Sequence, residues 1–268
     1  MPVPTADAFA ALARSSPWRW STLRFTVRRA RQPDRAEPLR AWLRRPDLLR
    51  VETLHGALVQ IVREPPTTVA VLGFPPTAGT QLTYRWPVEG PAPVLRADGL
   101  VDLRPPDLSY DAPMFQDYRW VAMLDPVELA DGQDPDTGEP GPPLVVDSVS
   151  ELEHAGRAAW EAVVRTTAFY EPRCGCCPLL RCRDVDVYEY RDHPQHVLAA
   201  YPDAYRVRLD VGTGVCVFTE EIGGLTPGEG HDLRIEAVDE PMDDDLFVEP
   251  PRGPFRPRFG WSPLPGGQ

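Results

Sequence analysis

Four of the chain's five cysteines fall within one segment, from Cys174 to Cys182. Thiolates bind soft metal ions, form disulfides and attack electrophiles, so the clustered thiols are the side chains in this sequence with the widest range of possible chemistry. The candidate metal ligands are Cys174, Cys176, Cys177 and Cys182. Zinc is the ion that such a set would suit, and no other cofactor is expected.

The spacing of these cysteines departs from that of common zinc sites. Structural zinc is usually held by two short-spaced pairs on separate turns, whereas here all four thiols lie in one segment. Cys176 and Cys177 are adjacent, which makes it awkward for both sulfurs to reach one ion. Three cysteines with His193 or His196 as the fourth ligand form an alternative set, and Pro194 predicts a turn between those histidines.

Two other interpretations of the cluster stay open. Cys174 and Cys177 have the CxxC spacing of thioredoxin-like proteins but lack the strand-to-helix context of that motif. A reversible disulfide between Cys182 and one of the three upstream thiols would make the segment a redox sensor. The plain interpretation, which the sequence favours, is that free thiols pack here as small apolar side chains.

Enzymatic chemistry finds little support. The chain has no Gly-x-Ser-x-Gly elbow, no Walker loop and no His-Glu-x-x-His motif. A nucleophilic cysteine would need His193, His196 or His231 close to it as a base. We therefore expect a non-enzymatic protein, with a cysteine-dependent enzyme as the least favoured alternative.

Charge and hydropathy exclude several classes of partner. The 268-residue chain has a net charge of −12, which repels phosphate backbones and argues against nucleic-acid binding. No stretch approaches the roughly 20 apolar residues that span a bilayer, so no transmembrane segment is expected. The N-terminus shows no signal peptide. A cytoplasmic location is therefore expected, where thiols stay mostly reduced.

The first half of the chain reads as one short helix followed by an antiparallel meander. Thr5 is a plausible N-cap for a helix to Arg14, since Phe9 and Leu12 share a face. Apolar and polar residues alternate from Trp20 to Ala30, as in a half-buried strand. Further strands are predicted at Leu39–Arg45, Leu49–Leu54, Ala57–Arg63, Val69–Leu72 and Gln81–Trp86.

The second half adds a broken helix and more strands. Residues 118–130 read as helical turns interrupted near Pro126, and 131–143 as a polar loop. Strands are predicted at Gly156–Arg165, Asp184–Glu189, Ala204–Asp210, Val215–Glu221 and His231–Val238. The acidic residues from Asp239 to Asp245 are expected to form a solvated turn, after which Leu246 and Phe247 enter the core.

Several short motifs together resemble a known family. They are Pro46-Asp47-x-x-Arg50-x-Glu52, Gly156-Arg157, Asp210-x-x-Thr213-Gly214, and the acidic segment that ends at Phe247. Over about residues 20–248, this pattern is similar to the superfamily of bacterial lipoprotein-sorting carriers and their actinobacterial lipoprotein relatives. The resemblance implies a half-barrel sheet with helices in its concave side and lipid acyl chains between them. The missing export signal and the cysteine cluster depart from that family.

These observations predict an α+β protein that is mainly β, with a single curved antiparallel sheet and a few helices over its concave face. The expected divisions are an N-terminal helix (1–17), a half-barrel domain (18–248) and a Pro/Gly-rich tail (249–268). The expected function is binding of a hydrophobic, lipid-like ligand or a protein partner in the concave face. The alternative is a metal-binding or thiol redox sensor that uses the cysteine cluster.

Overall fold

The computed structural model describes residues 3–29, 37–64, 68–71, 80–83, 86–105 and 112–249. From residue 250 onward, the predicted Pro/Gly-rich tail lies outside this part of the chain. Residue 72 and residues 84–85, which belong to two of the predicted strands, lie outside it as well.

Helix α1 (Ala6–Ser15) begins where the sequence predicts. The hydroxyl of Thr5 accepts a hydrogen bond from the backbone N–H of Ala8 at 3.1 Å, which satisfies one of the free donors of the first turn. Phe9 and Leu12 lie on the buried face of the helix. A 3-10 turn (Ser16–Trp18) follows, with Pro17 at the position where an α-helix would need another donor.

The first four strands form the expected meander. They are β1 (Thr22–Arg29), β2 (Leu39–Arg44), β3 (Leu48–Thr53) and β4 (Leu58–Arg63), and each pairs antiparallel with the next. Leu23, Phe25 and Val27 of β1 are buried, while Arg24 and Arg28 point to the other face. The alternation in the sequence therefore marks the two faces of the sheet correctly.

The middle of the chain forms small hairpins and a broken helix. The hairpins are β5 (Thr68–Val71) with β6 (Thr80–Thr83), β7 (Val94–Leu95) with β8 (Val101–Leu103), and β9 (Gly132–Gln133) with β10 (Pro140–Gly141). Helix α2 (Tyr118–Leu124) is followed by a 3-10 turn (Val127–Leu129), with Pro126 between them as predicted. The predicted loop 131–143 is partly regular, because β9 and β10 pair within it.

A second meander completes the main sheet. Its strands are β11 (Leu144–His154), β12 (Arg157–Thr166), β13 (Ala204–Asp210), β14 (Cys216–Ile222) and β15 (Gly230–Val238). Strand β15 pairs with β1, so nine strands follow the order β11–β12–β13–β14–β15–β1–β2–β3–β4. The sheet is antiparallel and not closed, with β11 and β4 at its edges. The predicted class, α+β and mainly β, is confirmed.

The two faces of this sheet have different surroundings. The inner face packs against α1 and α2 in one apolar cluster that includes Phe9, Leu12 and Trp120. The outer face has ion pairs between strands, such as Arg208–Glu161 at 2.7 Å between the neighbours β13 and β12, and Arg40–Glu236 at 3.1 Å, which spans β1. Phe247 is buried, as predicted for the end of the acidic segment.

Several elements differ from the sequence prediction, among them the short strands β7 and β8, helix α3 and strand β11. Residues predicted as a strand at Asp184–Glu189 form helix α3 (Arg183–Glu189). Valine alternates with acidic residues there, which imitates a strand pattern, but the buried carboxylate of Asp186 accepts hydrogen bonds from Arg181 and Tyr201 and holds the segment as a helix. Strand β11 was not predicted, because most of its residues are exposed or half-buried and it has no clean alternation.

Candidate functional site

The cysteine segment connects β12 to α3, and three of its thiols lie together. The sulfurs of Cys174 and Cys176 are 2.9 Å apart, and those of Cys176 and Cys177 are 3.8 Å apart. All three sulfurs lie within 4.8 Å of one another. Cys176 is exposed, and the other two are half-buried. This group, which we call the thiol triad, is a set of soft ligands that could hold a metal ion.

A buried carboxylate fixes both ends of the loop that carries the thiol triad. Oε2 of Glu128 accepts a hydrogen bond from the backbone N–H of Arg173 at 3.1 Å, and its Oε1 accepts one from Leu179 at 3.0 Å. The hydroxyl of Tyr170 donates to the same carboxylate at 2.5 Å and accepts from the backbone N–H of Leu180 at 3.0 Å. We call Glu128 and Tyr170 the loop clamp.

A second buried carboxylate holds the side chain of Arg173. Asp125 is 1% exposed and pairs with the guanidinium groups of both Arg173 and Arg104. Burial disfavours its charged form, but the two arginines outweigh burial and lower the pKa of Asp125. Burial raises the pKa of Glu128, because its partners offset desolvation only in part. The loop therefore rests on two buried acids whose pKa values shift in opposite directions.

The pKa values of the three thiols in the triad are shifted in different directions. Burial opposes ionisation of Cys174, yet hydrogen bonds from Cys176 and Cys177 outweigh it and lower the pKa of Cys174. Its hydrogen bond to Cys174 raises the pKa of Cys176 to about 12. Burial raises the pKa of Cys177, although the backbone N–H of Tyr118, at the start of α2, stabilises its thiolate. The arrangement thus favours one thiolate, on Cys174, with two thiols donating to it.

The other predicted site residues lie apart from this group. Cys182 is 6% exposed beside Thr166, and burial raises its pKa. His193 and His196 are exposed and contact each other edge to face at 6.2 Å, and neither belongs to the triad's 4.8 Å group. His231 is buried in β15, where its Nε2 donates to the carbonyl of Cys216 and its Nδ1 accepts from Thr219.

A cavity of about 310 Å³ lies between α2 and the first strands of the sheet. We call it the α2 cavity. Its apolar lining comes from Val27, Leu39, Phe115, Trp120 and Met123. The rings of Phe115 and Trp120 pack edge to face at 5.1 Å, which gives the cavity a rigid wall.

The charged side chains that line the α2 cavity differ in whether they are paired, and Arg119 is the case of interest. Arg28 pairs with Asp232 at 2.8 Å, and Glu37 lies 3.4 Å from His55. In contrast, the half-buried guanidinium of Arg119 makes no hydrogen bond or ion pair with any residue that the structure describes. Burial is the main cause that lowers the pKa of His231, which also lines the cavity. The positive charge of Arg119 lowers that pKa further.

A larger groove, of about 1170 Å³, runs between α1, the turn after α2 and the start of β11. Its charged side chains already have partners. Arg14 pairs with Asp131 at 2.6 Å, and Arg104 and Arg173 pair with Asp125. Glu171, also in the lining, accepts a hydrogen bond from the side-chain amide of Gln133. Among the described residues, the arginines that line the groove are therefore all paired with acids.

Sequence reasoning found the thiols and predicted a ligand space between sheet and helices, but it did not identify Glu128, Tyr170 or Arg119. Glu128 follows Pro126 in a segment that reads only as a broken helix, and nothing local marks its partner at Tyr170. Arg119 and Trp120 precede an apolar helical run, which was the one available signal of a covered pocket. These residues act through contacts between segments that lie far apart in the sequence.

Comparisons with known proteins identify no family for this chain. No protein-family model matches the chain, and no curated protein matches it. A solved structure titled "Crystal structure of MucB" is similar at 15% sequence identity with a TM-score of 0.41, covering 94% of this chain and 68% of that one. Among the described residues, no helix is long and apolar enough to cross a membrane.

Proposed function

We propose that this chain is a non-enzymatic binding protein whose ligand has an apolar body and an anionic end and occupies the α2 cavity. The observation that carries the proposal is Arg119, a half-buried guanidinium that makes no hydrogen bond or ion pair among the described residues, beside the apolar wall of Phe115 and Trp120. The carboxylate of Glu221 interacts with its charge but does not pair with it, so a ligand anion would supply the direct counter-ion that Arg119 lacks.

The size of the cavity favours a small molecule over the predicted protein partner. About 310 Å³ is at the lower end of ligand pockets, which range over roughly 300–1,000 Å³. A stable protein interface would instead need about 800 Å² of surface on each partner. The motif resemblance to carriers that hold acyl chains between sheet and helices agrees with this proposal.

Calorimetric titration with decanoate, decanol and decylamine tests the proposal. We expect decanoate to bind most tightly, and we expect Arg119→Gln to weaken decanoate binding by about tenfold or more while leaving decanol unchanged, since a hydrogen bond to a charged group contributes about 1.5–3 kcal/mol. Arg191→Gln, which removes the same charge from an exposed site, is the matched control. Equal affinity of the wild-type protein for all three probes, or no binding of any, would refute the proposal.

A second candidate function is zinc binding by the thiol triad. The specific observation in its favour is that three sulfurs lie within 4.8 Å of one another on a loop held at both ends. Two of these sulfurs are 3.8 Å apart, the separation expected for a tetrahedral ion with Zn–S bonds of about 2.3 Å. Titration of the reduced protein with Zn²⁺ should give one ion per chain, lost in Cys176→Ser; a stoichiometry near zero would exclude this function.

A further inference from the structure

We infer that Glu189 supplies the fourth ligand of a zinc ion held by Cys174, Cys176 and Cys177, and that Cys182 is not a ligand. The inference rests on the zinc-binding function proposed for the thiol triad. Structural zinc is almost always four-coordinate, so three thiolates leave one position to fill. Cysteine, histidine and carboxylate groups are the side chains that fill such positions in proteins.

Glu189 lies directly against the backbone that carries the triad. A methyl group on Gly175 would lie 2.5 Å from Oε2 of Glu189 and 3.0 Å from its carboxylate carbon. Gly175 is the residue between Cys174 and Cys176, so the carboxylate covers the centre of the triad's loop. The absence of a side chain at residue 175 is what permits this approach.

The carboxylate of Glu189 has no other partner. It makes no hydrogen bond or ion pair within the part of the chain that the structure describes. In the same helix, Asp186 is buried and accepts hydrogen bonds from Arg181 and Tyr201, each at 2.8 Å. Asp186 therefore anchors α3, while Glu189, at the exposed end of the helix, is left beside the thiols.

Glu189 is the last residue of α3, and it is exposed. A change of side-chain rotamer, which costs little at an exposed residue, is all that Glu189 needs to turn from Gly175 towards an ion on the triad.

The other residues that the sequence offers as ligands are held elsewhere. The sulfur of Cys182 faces Thr166 and the first backbone amides of α3, in a buried position. His196 stacks on Tyr190 at 5.3 Å and contacts His193 at its other side. The ligand atoms of these three residues lie outside the group of sulfurs within 4.8 Å, and so does the carboxylate of Glu189 while it faces Gly175. Glu189 differs from them in that its carboxylate makes no hydrogen bond or ion pair among the described residues.

The test uses the full-length reduced protein loaded with Zn²⁺ and examined by X-ray absorption at the zinc edge. We expect three sulfurs at about 2.3 Å and one oxygen at about 2.0–2.2 Å. We expect Glu189→Gln to weaken zinc binding by about tenfold or more, because a neutral amide oxygen is a poorer zinc ligand than a carboxylate. Cys182→Ala and His196→Ala should bind zinc as the wild-type protein does.

The outcomes separate this inference from the function on which it rests. Zinc bound with three sulfurs and one nitrogen, or with four sulfurs, would overturn the role of Glu189 while leaving the triad a zinc site. So would unchanged affinity in Glu189→Gln, or loss of zinc in Cys182→Ala. A wild-type protein that binds no zinc would remove both. Circular dichroism of each variant checks that it is folded, which the exposed position of Glu189 favours.

Discussion

Acidic side chains are buried beneath the cysteine loop but exposed on the outer face of the sheet, and their structural roles differ accordingly. Beneath the loop, Asp125 and Glu128 are 1% and 2% exposed, and together they fix a backbone segment that has no strand partner. On the outer face, Glu236 lies between Arg24 and Arg40, and the side chains of these arginines remain 37% and 39% exposed. The residue types are the same, but only the first group is removed from water.

The difference shows where charge determines structure in this protein. A buried carboxylate that loses its partners leaves donors unsatisfied, whereas an exposed pair exchanges its partner for water at little cost. The loop clamp should therefore control both stability and the geometry of the thiol triad. The exposed ion pairs of the outer face should contribute little to stability or to the conformation of the sheet.

The largest effect is expected from Glu128→Ala. The change leaves the hydroxyl of Tyr170 and the backbone N–H groups of Arg173 and Leu179 without their acceptor, so we expect a loss of about 3–5 kcal/mol in the free energy of unfolding. Urea denaturation measures it. Glu139→Ala, at an exposed residue, is the control and should cost little. A loss below about 1 kcal/mol for Glu128→Ala would mean that buried and exposed acids are equivalent here.

Tyr170→Phe should destabilise the loop clamp less than Glu128→Ala does. It removes the hydroxyl that donates to Glu128 and accepts from the backbone of Leu180, without changing the ring. We expect a loss of about 2–3 kcal/mol, because one of the two hydrogen bonds involves a charged group. Combined with Glu128→Ala in a double-mutant cycle, the two losses should be less than additive; full additivity would show that the residues do not act together.

The third prediction concerns pH and a buried group with no ionic partner. Burial lowers the pKa of His231 from 6.5 to about 4. Between these values the unfolded chain binds a proton that the folded protein does not, so stability is present above pH 6.5 and is lost as the pH falls towards 4. We expect about 2 kcal/mol of loss between pH 7 and pH 5 from this residue. A His231→Gln variant with the same pH dependence as the wild-type protein would contradict it.

The smallest effect is expected on the outer face. Glu236→Gln removes the charge between Arg24 and Arg40, and its free energy of unfolding should change by less than about 1 kcal/mol. The change should shrink further in 1 M salt, because screening acts on exposed pairs. A loss as large as that of Glu128→Ala would erase the contrast between the two regions.

The sequence predicted the elements whose patterns are local. The cap at Thr5, the alternation of Leu23, Phe25 and Val27, and the break at Pro126 each depend on a few neighbouring residues, and the structure has all of them. The sequence does not predict strand β11, because an edge strand with little burial has no clear alternation of apolar and polar residues. Helix α3 has the alternating pattern of a strand, but its conformation depends on the contacts of Asp186 with Arg181 and Tyr201 and not on that pattern.

The candidate sites divide in the same way. The closeness of Cys174, Cys176 and Cys177 follows from their spacing, and the sequence could indicate it. The inward turn of Cys182 could not be seen, because it depends on packing beside Thr166. Arg119, Glu128 and Glu189 reach their positions through tertiary contacts, and no short motif marks such contacts in a single sequence.

The loop clamp has a consequence for the timing of entropy loss. A free loop must surrender its backbone freedom when a ligand arrives, at roughly 1–2 kcal/mol for each residue that becomes ordered. Here Glu128 fixes the loop at Arg173 and Leu179 before any ligand is present, so that freedom is lost when the domain folds. The thiols are thus preorganised, and their loop should keep slow amide hydrogen exchange at Arg173 and Leu179 whether or not the sulfurs are occupied.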